Sequence, residues 1–121
     1  MGAKVLIADD EPNIVVSLEF MMKREGYQVM IARDGVQALE TIRRERPRLV
    51  LLDGMMPGLS GFEVCEAVRA DDSLRDTLIM MLTAKGRETD MVRGVGVGAD
   101  AYVIKPFSTR DLVQKVRDML A

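Results

Sequence analysis

The sequence predicts an α/β domain in which a doubly wound, five-stranded parallel sheet carries five helices on its two faces. Five short apolar runs occur, at 4–8, 28–32, 49–52, 78–82 and 101–104. Each run is followed by a segment in which apolar residues recur at helical spacing, and strands that alternate with helices form βαβ units with parallel strands. The third run has no polar alternation, which is typical of a strand buried on both faces.

The first two strands are each followed by a helix with recognisable ends. We expect the first helix to begin at Pro12 and to end before Gly26. Asp34 can cap the second helix, which must stop before Pro47. The apolar faces of these two helices are predicted to consist of Ile14, Leu18, Met21 and Met22, and of Val36, Leu39 and Ile42.

Three more helices are predicted after the third, fourth and fifth strands. The third helix carries Phe62, Cys65 and Val68 on one face. The helix near 87–97 contains Gly94 and Gly96, which each cost about 1 kcal/mol relative to alanine. A capping box of Ser108 and Asp111 is predicted to begin the last helix, whose apolar face consists of Leu112, Val113, Val116 and Met119.

Composition predicts one soluble domain, residues 1–121, and excludes several kinds of site. The chain has 17 basic and 19 acidic residues, a net charge of −2, which gives no reason to expect direct binding of nucleic acid or membrane. It has no histidine, which excludes imidazole triads, imidazole metal sites and phosphohistidine on this chain. Its one cysteine, Cys65, is interpreted as a small apolar core residue, and a cytoplasmic location is expected.

Five polar side chains stand at the ends of the predicted strands: Asp9, Asp10, Asp53, Thr83 and Lys105. Ligands of open α/β sheets bind at this edge, outside the carboxyl ends of the strands. Taken singly, each residue has an ordinary structural explanation. Asp10 could cap the first helix, Asp53 could open a turn, and Thr83 could cap the next helix. Lys105 could be a solvated loop lysine.

Together these residues favour a phosphoryl-acceptor site. If the first and third strands are neighbours, three carboxylates share one pocket, and a hard cation such as Mg²⁺ would offset their repulsion. Asp53 could then attack phosphorus, while Lys105 neutralises phosphoryl oxygens and Thr83 donates a hydrogen bond to one of them.

Four motifs carry a resemblance to a known family: "ADDEP" at 8–12, "LLDGMMPGLSGFE" at 51–63, "MLTAK" at 81–85 and "GADAYVIKPF" at 98–107. In this order and at these strand ends they resemble the receiver domain of bacterial two-component response regulators, over essentially the whole chain. The resemblance implies a flavodoxin-like fold with strand order 2-1-3-4-5. It also implies that Asp53 accepts a phosphoryl group from a phosphohistidine on a sensor histidine kinase or phosphotransfer protein. The chain would then be a switch and not an enzyme, a phosphoacceptor that catalyses its own Mg²⁺-dependent phosphorylation and dephosphorylation through Asp53, Lys105 and Thr83.

The resemblance further implies roles for single residues. Asp10, Asp53 and the backbone carbonyl of Met55 would bind Mg²⁺, with Asp9 helping directly or through water, and we expect Mn²⁺ to substitute. Thr83 and Tyr102 match the family's switch pair. Lys105 would pair with the phosphate, and the Lys105–Pro106 peptide bond is expected to be cis.

The resemblance implies an output as well. Phosphorylation would shift the face built from the helix near 87–97, the fifth strand and the last helix, which would contact an output domain or a downstream protein. The chain would be a monomer or a phosphorylation-dependent dimer. Ala101 and Lys115 depart from the winged-helix transcription-factor branch, which weakens the case for that branch's salt-bridged dimer.

Two further positions tune phosphate lifetime in the family, and here they are Met55 and Lys85. A thioether orients an attacking water poorly, so slow self-dephosphorylation is expected.

Three alternatives remain open. An aspartate-nucleophile phosphatase of the haloacid dehalogenase type would also use Asp and Mg²⁺, but those enzymes place a second Asp where this chain has Met55. A binding-only module would signal without phosphorylation, although such modules tend to lose members of the acidic, hydroxyl and lysine set. An FMN carrier would need a phosphate-binding Ser/Thr/Gly loop after the first strand, which this sequence does not have.

Overall fold

The computed structural model describes residues 2–84, residue 96 and residues 98–121. The elements follow the order β1 (Lys4–Ala8), α1 (Pro12–Arg24), β2 (Gln28–Ala32), α2 (Gly35–Glu45), β3 (Leu49–Asp53), α3 (Gly61–Arg69), a short 3₁₀ helix (Asp72–Leu74), β4 (Leu78–Ala84), β5 (Ala101–Lys105) and α4 (Thr109–Leu120).

The five strands form one parallel sheet in the order β2-β1-β3-β4-β5, which confirms the predicted strand order. Every residue of β3 is buried, as its continuous apolar run indicates. Four α-helices fall within the described part of the chain. The fifth predicted helix, near 87–97, lies outside the described residues apart from Gly96.

Side chains on the two faces of the sheet form two separate apolar cores, because successive residues of a strand point to opposite faces. On one face, Val50 and Leu52 of β3 belong to the same core as residues of α2 and α3, including Phe62, Cys65 and Val68. On the other face, Leu49 and Leu51 lie with residues of α1 and α4. Helices on both faces make this the predicted doubly wound arrangement, and Cys65 is a fully buried core residue.

Most of the predicted helix ends occur where the sequence indicates. Pro12 is the first residue of α1, and Gly26 follows that helix with a φ of +90°. The Asp34 carboxylate accepts a hydrogen bond of 2.8 Å from the Gln37 backbone N–H and so caps α2. That helix ends at Glu45, two residues before Pro47.

Two details of the helices were predicted wrongly. Val36 is 49% exposed, because the buried stripe of α2 passes instead through Gly35, Ala38, Thr41 and Ile42. At α4, Ser108 Oγ accepts from the Asp111 backbone N–H, which is one half of the predicted capping box. Both halves occur at α3, between Ser60 and Glu63, whose side chain is one methylene longer than that of aspartate.

Three strands are longer than their apolar runs. β3 includes Asp53, β4 includes Thr83 and β5 includes Lys105, each within the last two residues of its strand. These polar side chains are therefore held by the strand ladders themselves and not by the loops that follow. Among the described residues, no helix combines the length and the apolar character needed to cross a bilayer.

Candidate functional site

The carboxyl ends of β1, β3, β4 and β5 meet at one edge of the sheet. Ala8 is in register with Leu52, Asp53 with Leu82, and Ala84 with Lys105. A cavity of about 300 Å³ opens at this edge. Its lining includes Asp10, Glu11, Asp53, Met55, Thr83 and Lys105. The structure thus brings together the polar residues that the sequence placed on separate strand ends.

Three carboxylates form the acidic part of the site. Asp9 is fully buried, Asp53 is 6% exposed and Asp10 is exposed. One carboxylate oxygen from each lies within 4.8 Å of the others. This set of hard oxygen donors, open to solvent on the Asp10 side, fits a divalent cation that keeps part of its water shell, as Mg²⁺ does.

Lys105 supplies the positive charge. Its Nζ lies 3.0 Å from Asp9 Oδ2, 3.4 Å from Glu11 Oε1 and 3.6 Å from Asp53 Oδ1, and its side chain is only 14% exposed. Burial alone would lower the pKa of Lys105, but the hydrogen bond to Asp9 and the charges of Asp53, Asp9 and Glu11 raise it. A solvated loop lysine is therefore the wrong interpretation of this residue.

Burial also changes the protonation of Asp53. It raises the pKa of that carboxyl to about 6, against the lowering effect of the Met55 backbone N–H, and the charge of Asp9 adds to the rise. The Met55 N–H donates to Asp53 Oδ1 at 3.1 Å, which fixes the orientation of the carboxylate. Asp53 is thus a desolvated, oriented carboxylate beside a cation.

The backbone behind Asp53 is closely packed. The Gly61 N–H donates to the Gly54 carbonyl at 3.0 Å, and a Cβ at Gly61 would lie 2.1 Å from the Asp53 carbonyl oxygen. Only glycine allows the start of α3 to approach β3 this closely. The approach fixes the end of β3, from which the carboxylate projects.

Thr83 and Tyr102 carry the hydroxyls of the site region. Tyr102 packs against the core that contains Ile79 and Met81, and the alternation of β4 places Thr83 on that same face. Thr83 Oγ1 and the Tyr102 hydroxyl are both buried and have no hydrogen-bond partner within the described part of the chain. Buried hydroxyls normally have partners. Of these two residues it is Thr83 that lines the cavity, so its hydroxyl is the one that a group bound there would meet.

Asp10 does not cap α1, which was the ordinary structural explanation for this residue. Glu11 is the N-cap residue, and its backbone N–H donates to Asp9 Oδ1 at 2.9 Å. Asp10 is exposed and lines the cavity. Neither acidic residue that precedes Glu11 is therefore the cap of α1, and both face the site.

Several other predicted positions have defined places. The Lys105–Pro106 peptide bond is cis. Lys115 Nζ donates to the Tyr102 carbonyl oxygen at 3.1 Å, and Ala101 is the first residue of β5. Lys85 lies outside the described residues.

Sequence reasoning missed two participants. Glu11 contacts Lys105, and its position beside Asp9 and Asp10 in an acidic run was the available signal. At the opposite edge of the sheet, Arg69 donates to the Gly98 carbonyl at 2.8 Å, to the Thr77 carbonyl at 2.7 Å and to Asp100 at 2.6 Å. These contacts join the end of α3 to the segments that precede β4 and β5.

Comparisons with known proteins agree with this geometry. The family model described as response regulator receiver domain matches residues 5–117. A protein from Chloroflexus aurantiacus assigned as a response regulator has 32% identity and a TM-score of 0.94, with 99% of this chain and 98% of that chain covered. A chemotaxis response regulator of Vibrio cholerae has 32% identity and a TM-score of 0.91, with 98% and 99% covered.

A third similar structure was solved with a metal. It is the receiver domain of a Pseudomonas aeruginosa sensor histidine kinase, with a magnesium ion coordinated in its active-site cleft. Its identity to this chain is 28% and its TM-score is 0.90, with 99% of this chain and 98% of that chain covered.

Proposed function

This chain belongs to the response regulator receiver domain family of two-component signalling, and from that premise we propose that it is a switch operated by phosphorylation of Asp53. The donor is a phosphohistidine on a sensor histidine kinase or a phosphotransfer protein. The observation that carries the proposal is the oriented, buried carboxylate of Asp53, 3.6 Å from Lys105 Nζ and grouped with Asp9 and Asp10.

Asp10, Asp53, the Met55 backbone carbonyl and Asp9 would hold the metal, Asp9 directly or through water. The three carboxylates fit Mg²⁺ in donor type and grouping, and Mn²⁺ shares the preference for oxygen ligands. When bound, Mg²⁺ would offset the negative charge of the carboxylates and of the phosphoryl oxygens.

In the transfer, the protein's own residues position the Asp53 carboxylate and neutralise the charge of the phosphoryl oxygens. An Asp53 oxygen forms a bond to phosphorus as the bond from phosphorus to the donor imidazole nitrogen breaks, and the electron pair returns to that nitrogen. Lys105 pairs with a phosphoryl oxygen. The strand end holds Asp53 in line, and the Met55 N–H fixes one of its oxygens.

The proposed readout involves the two buried hydroxyls that have no hydrogen-bond partner among the described residues. Thr83 donates to a phosphoryl oxygen, and Tyr102, whose hydroxyl is already buried in this structure, moves further inward as Thr83 moves. These movements change which conformations are populated at the face formed by the predicted helix near 87–97, β5 and α4. That face contacts an output domain or a downstream protein. We expect a monomer or a phosphorylation-dependent dimer in the cytoplasm, with no direct binding of nucleic acid by this domain and no turnover of external phosphate esters.

The test is incubation with acetyl phosphate, with and without Mg²⁺, followed by intact-mass measurement beside an Asp53→Asn control. One Mg²⁺-dependent phosphoryl adduct, absent in the control, is expected. Absence of an adduct, with Mg²⁺ shown to bind, would favour a binding-only module. Continuous release of phosphate would favour an aspartate-nucleophile phosphatase.

A further inference from the structure

We propose that Glu11 is a positioning residue that acts through Lys105. It holds the lysine in the unphosphorylated site and competes for it with the phosphoryl group on Asp53. The inference rests on the proposed function, because it concerns the same lysine and the same acceptor.

The distances around Lys105 are the first argument. Its Nζ lies closer to Asp9 and to Glu11, at 3.0 and 3.4 Å, than to Asp53, at 3.6 Å. The ammonium is thus shared by three carboxylates, and the acceptor is the most distant of them. Lys105 donates hydrogen bonds to Asp9 and to Glu11, and a movement of its ammonium toward a phosphoryl group on Asp53 would lengthen one of these two contacts.

The backbone of Glu11 is the second argument. Its N–H is held by Asp9 Oδ1 at 2.9 Å, which fixes where the side chain starts. Glu11 is the N-cap residue of α1, yet its side chain makes no capping hydrogen bond to that helix. Side-chain capping is typical of Ser, Thr, Asp and Asn, and the longer side chain of Glu11 does not cap the helix. Here it reaches Lys105 instead.

Exposure decides which contact gives way. Asp9 is fully buried and makes the shorter contact with Lys105, at 3.0 Å, whereas the Glu11 side chain is 59% exposed and lies at 3.4 Å. Removal of the cation costs more free energy for a buried carboxylate than for an exposed one, because the exposed carboxylate is solvated by water instead. We therefore expect Lys105 to keep Asp9 and to release Glu11. An ion pair with an exposed partner changes an equilibrium by up to about fivefold, which sets the size of the bias.

The experiment measures binding of beryllium fluoride in the presence of Mg²⁺, as a probe for the phosphorylated ground state. The bound fraction is read from ¹⁹F NMR for wild type, Glu11→Gln and Glu11→Asp. Glu11→Asp is the informative variant, because it keeps the charge but retracts the carboxylate by one methylene, about 1.5 Å, beyond hydrogen-bond reach of Lys105. Glu40→Gln, an exposed position on α2, controls for net charge.

If the contact matters, Glu11→Gln and Glu11→Asp both bind the probe about two- to fivefold more tightly than wild type, and Glu40→Gln does not. Without the probe, their thermal unfolding midpoints fall by no more than a few degrees, because the lost ion pair contributes at most about 1 kcal/mol. If Glu11→Asp matches wild type, only the charge of Glu11 acts and the inference is wrong. Equal binding by all four proteins also overturns it.

Failure of the proposed function would look different. In that case wild type would bind no beryllium fluoride and would form no adduct with acetyl phosphate, so that both the function and the inference would fall. Phosphorylation of wild type without an effect at Glu11 would remove the inference alone.

Discussion

Lys105 Nζ lies 3.0 Å from Asp9 Oδ2, although β4 and β3 separate β5 from β1 in the sheet. The lysine reaches across the carboxyl ends of two strands to a fully buried carboxylate. Because the contact joins residues 96 positions apart in the chain, it ties the last strand to the first. Removing the lysine should therefore affect stability as well as signalling.

We expect Lys105→Met to lower the free energy of unfolding by about 3 kcal/mol in EDTA, because Asp9 is left as a buried charge without its cation. Urea unfolding measures this. Added Mg²⁺ should recover part of the loss. Lys4→Met is the matched control, since its partner Glu45 is partly exposed and the pair is worth less than about 1 kcal/mol. Equal losses in the two variants would contradict the role assigned to burial.

Asp53→Asn should stabilise the metal-free protein at neutral pH. The pKa of Asp53 is raised from 3.8 to about 6, which means that protonated Asp53 is favoured in the folded protein. Its contribution to the free energy of unfolding is therefore complete below pH 3.8 and is lost as the pH rises through about 6. In EDTA at neutral pH the variant should be about 3 kcal/mol more stable than wild type. The gap should close as the pH falls toward 3.8.

Chemical unfolding across this pH range tests the prediction for Asp53. Asp76→Asn, at an exposed position, is the control for the replacement of a carboxylate by an amide. If Asp53→Asn were less stable than wild type at neutral pH, the attraction between Asp53 and Lys105 would exceed the cost of burying the charge of Asp53.

Thr83→Val should raise the free energy of unfolding by about 1 kcal/mol, because it removes a buried hydroxyl that has no partner within the described residues. The same variant should lose the conformational response to phosphorylation, measured by amide NMR shifts with beryllium fluoride. Thr41→Val is the control, since the Thr41 hydroxyl donates to the Gln37 carbonyl at 2.8 Å and no gain is expected. A stability loss at Thr83 would indicate a partner for its hydroxyl.

Met55→Asn should shorten the lifetime of the phosphorylated protein. Met55 lines the cavity and is 52% exposed, and an amide can orient an attacking water where a thioether cannot. Intact mass followed over time, after removal of acetyl phosphate, gives the rate. Met55→Leu should behave like wild type. Loss of phosphate from wild type within seconds would argue against the slow hydrolysis that we predict.

Arg69→Ala should lower the free energy of unfolding by about 2 kcal/mol, because two backbone carbonyls and Asp100 lose their donor. Arg69→Lys should recover little of this, since an ammonium cannot reproduce the planar fork. Urea unfolding beside Arg75→Ala, which removes an exposed ion pair, provides the comparison. Full recovery by lysine would show that charge alone is needed.

The sequence allowed the fold and most of the site to be predicted because both depend on local patterns. Apolar runs identify the strands, and the polar residue at the end of each run identifies the site edge. The roles of Asp53, Thr83 and Lys105 in phosphoryl transfer stay predictions until the chemistry is measured.

What the sequence could not reveal depends on contacts between distant segments. The exposure of Val36 follows from the way α2 packs, with Gly35 against the Leu59 backbone, which no helical period specifies. The contact of Glu11 with Lys105 requires the lysine, which ends β5, to reach past the ends of β4 and β3. Both are tertiary properties.

Asp53 and Lys105 end strands that differ in how many neighbouring strands hold them in the sheet. Asp53 ends β3, which is hydrogen-bonded to β1 on one side and to β4 on the other, whereas Lys105 ends β5, which pairs with β4 alone among the described strands. A strand with one ladder yields more readily than a strand with two. The site therefore joins a carboxylate on an interior strand to a cation on a strand with one described neighbour, and if Asp53 is phosphorylated as we propose, we expect β5 to move more than β3.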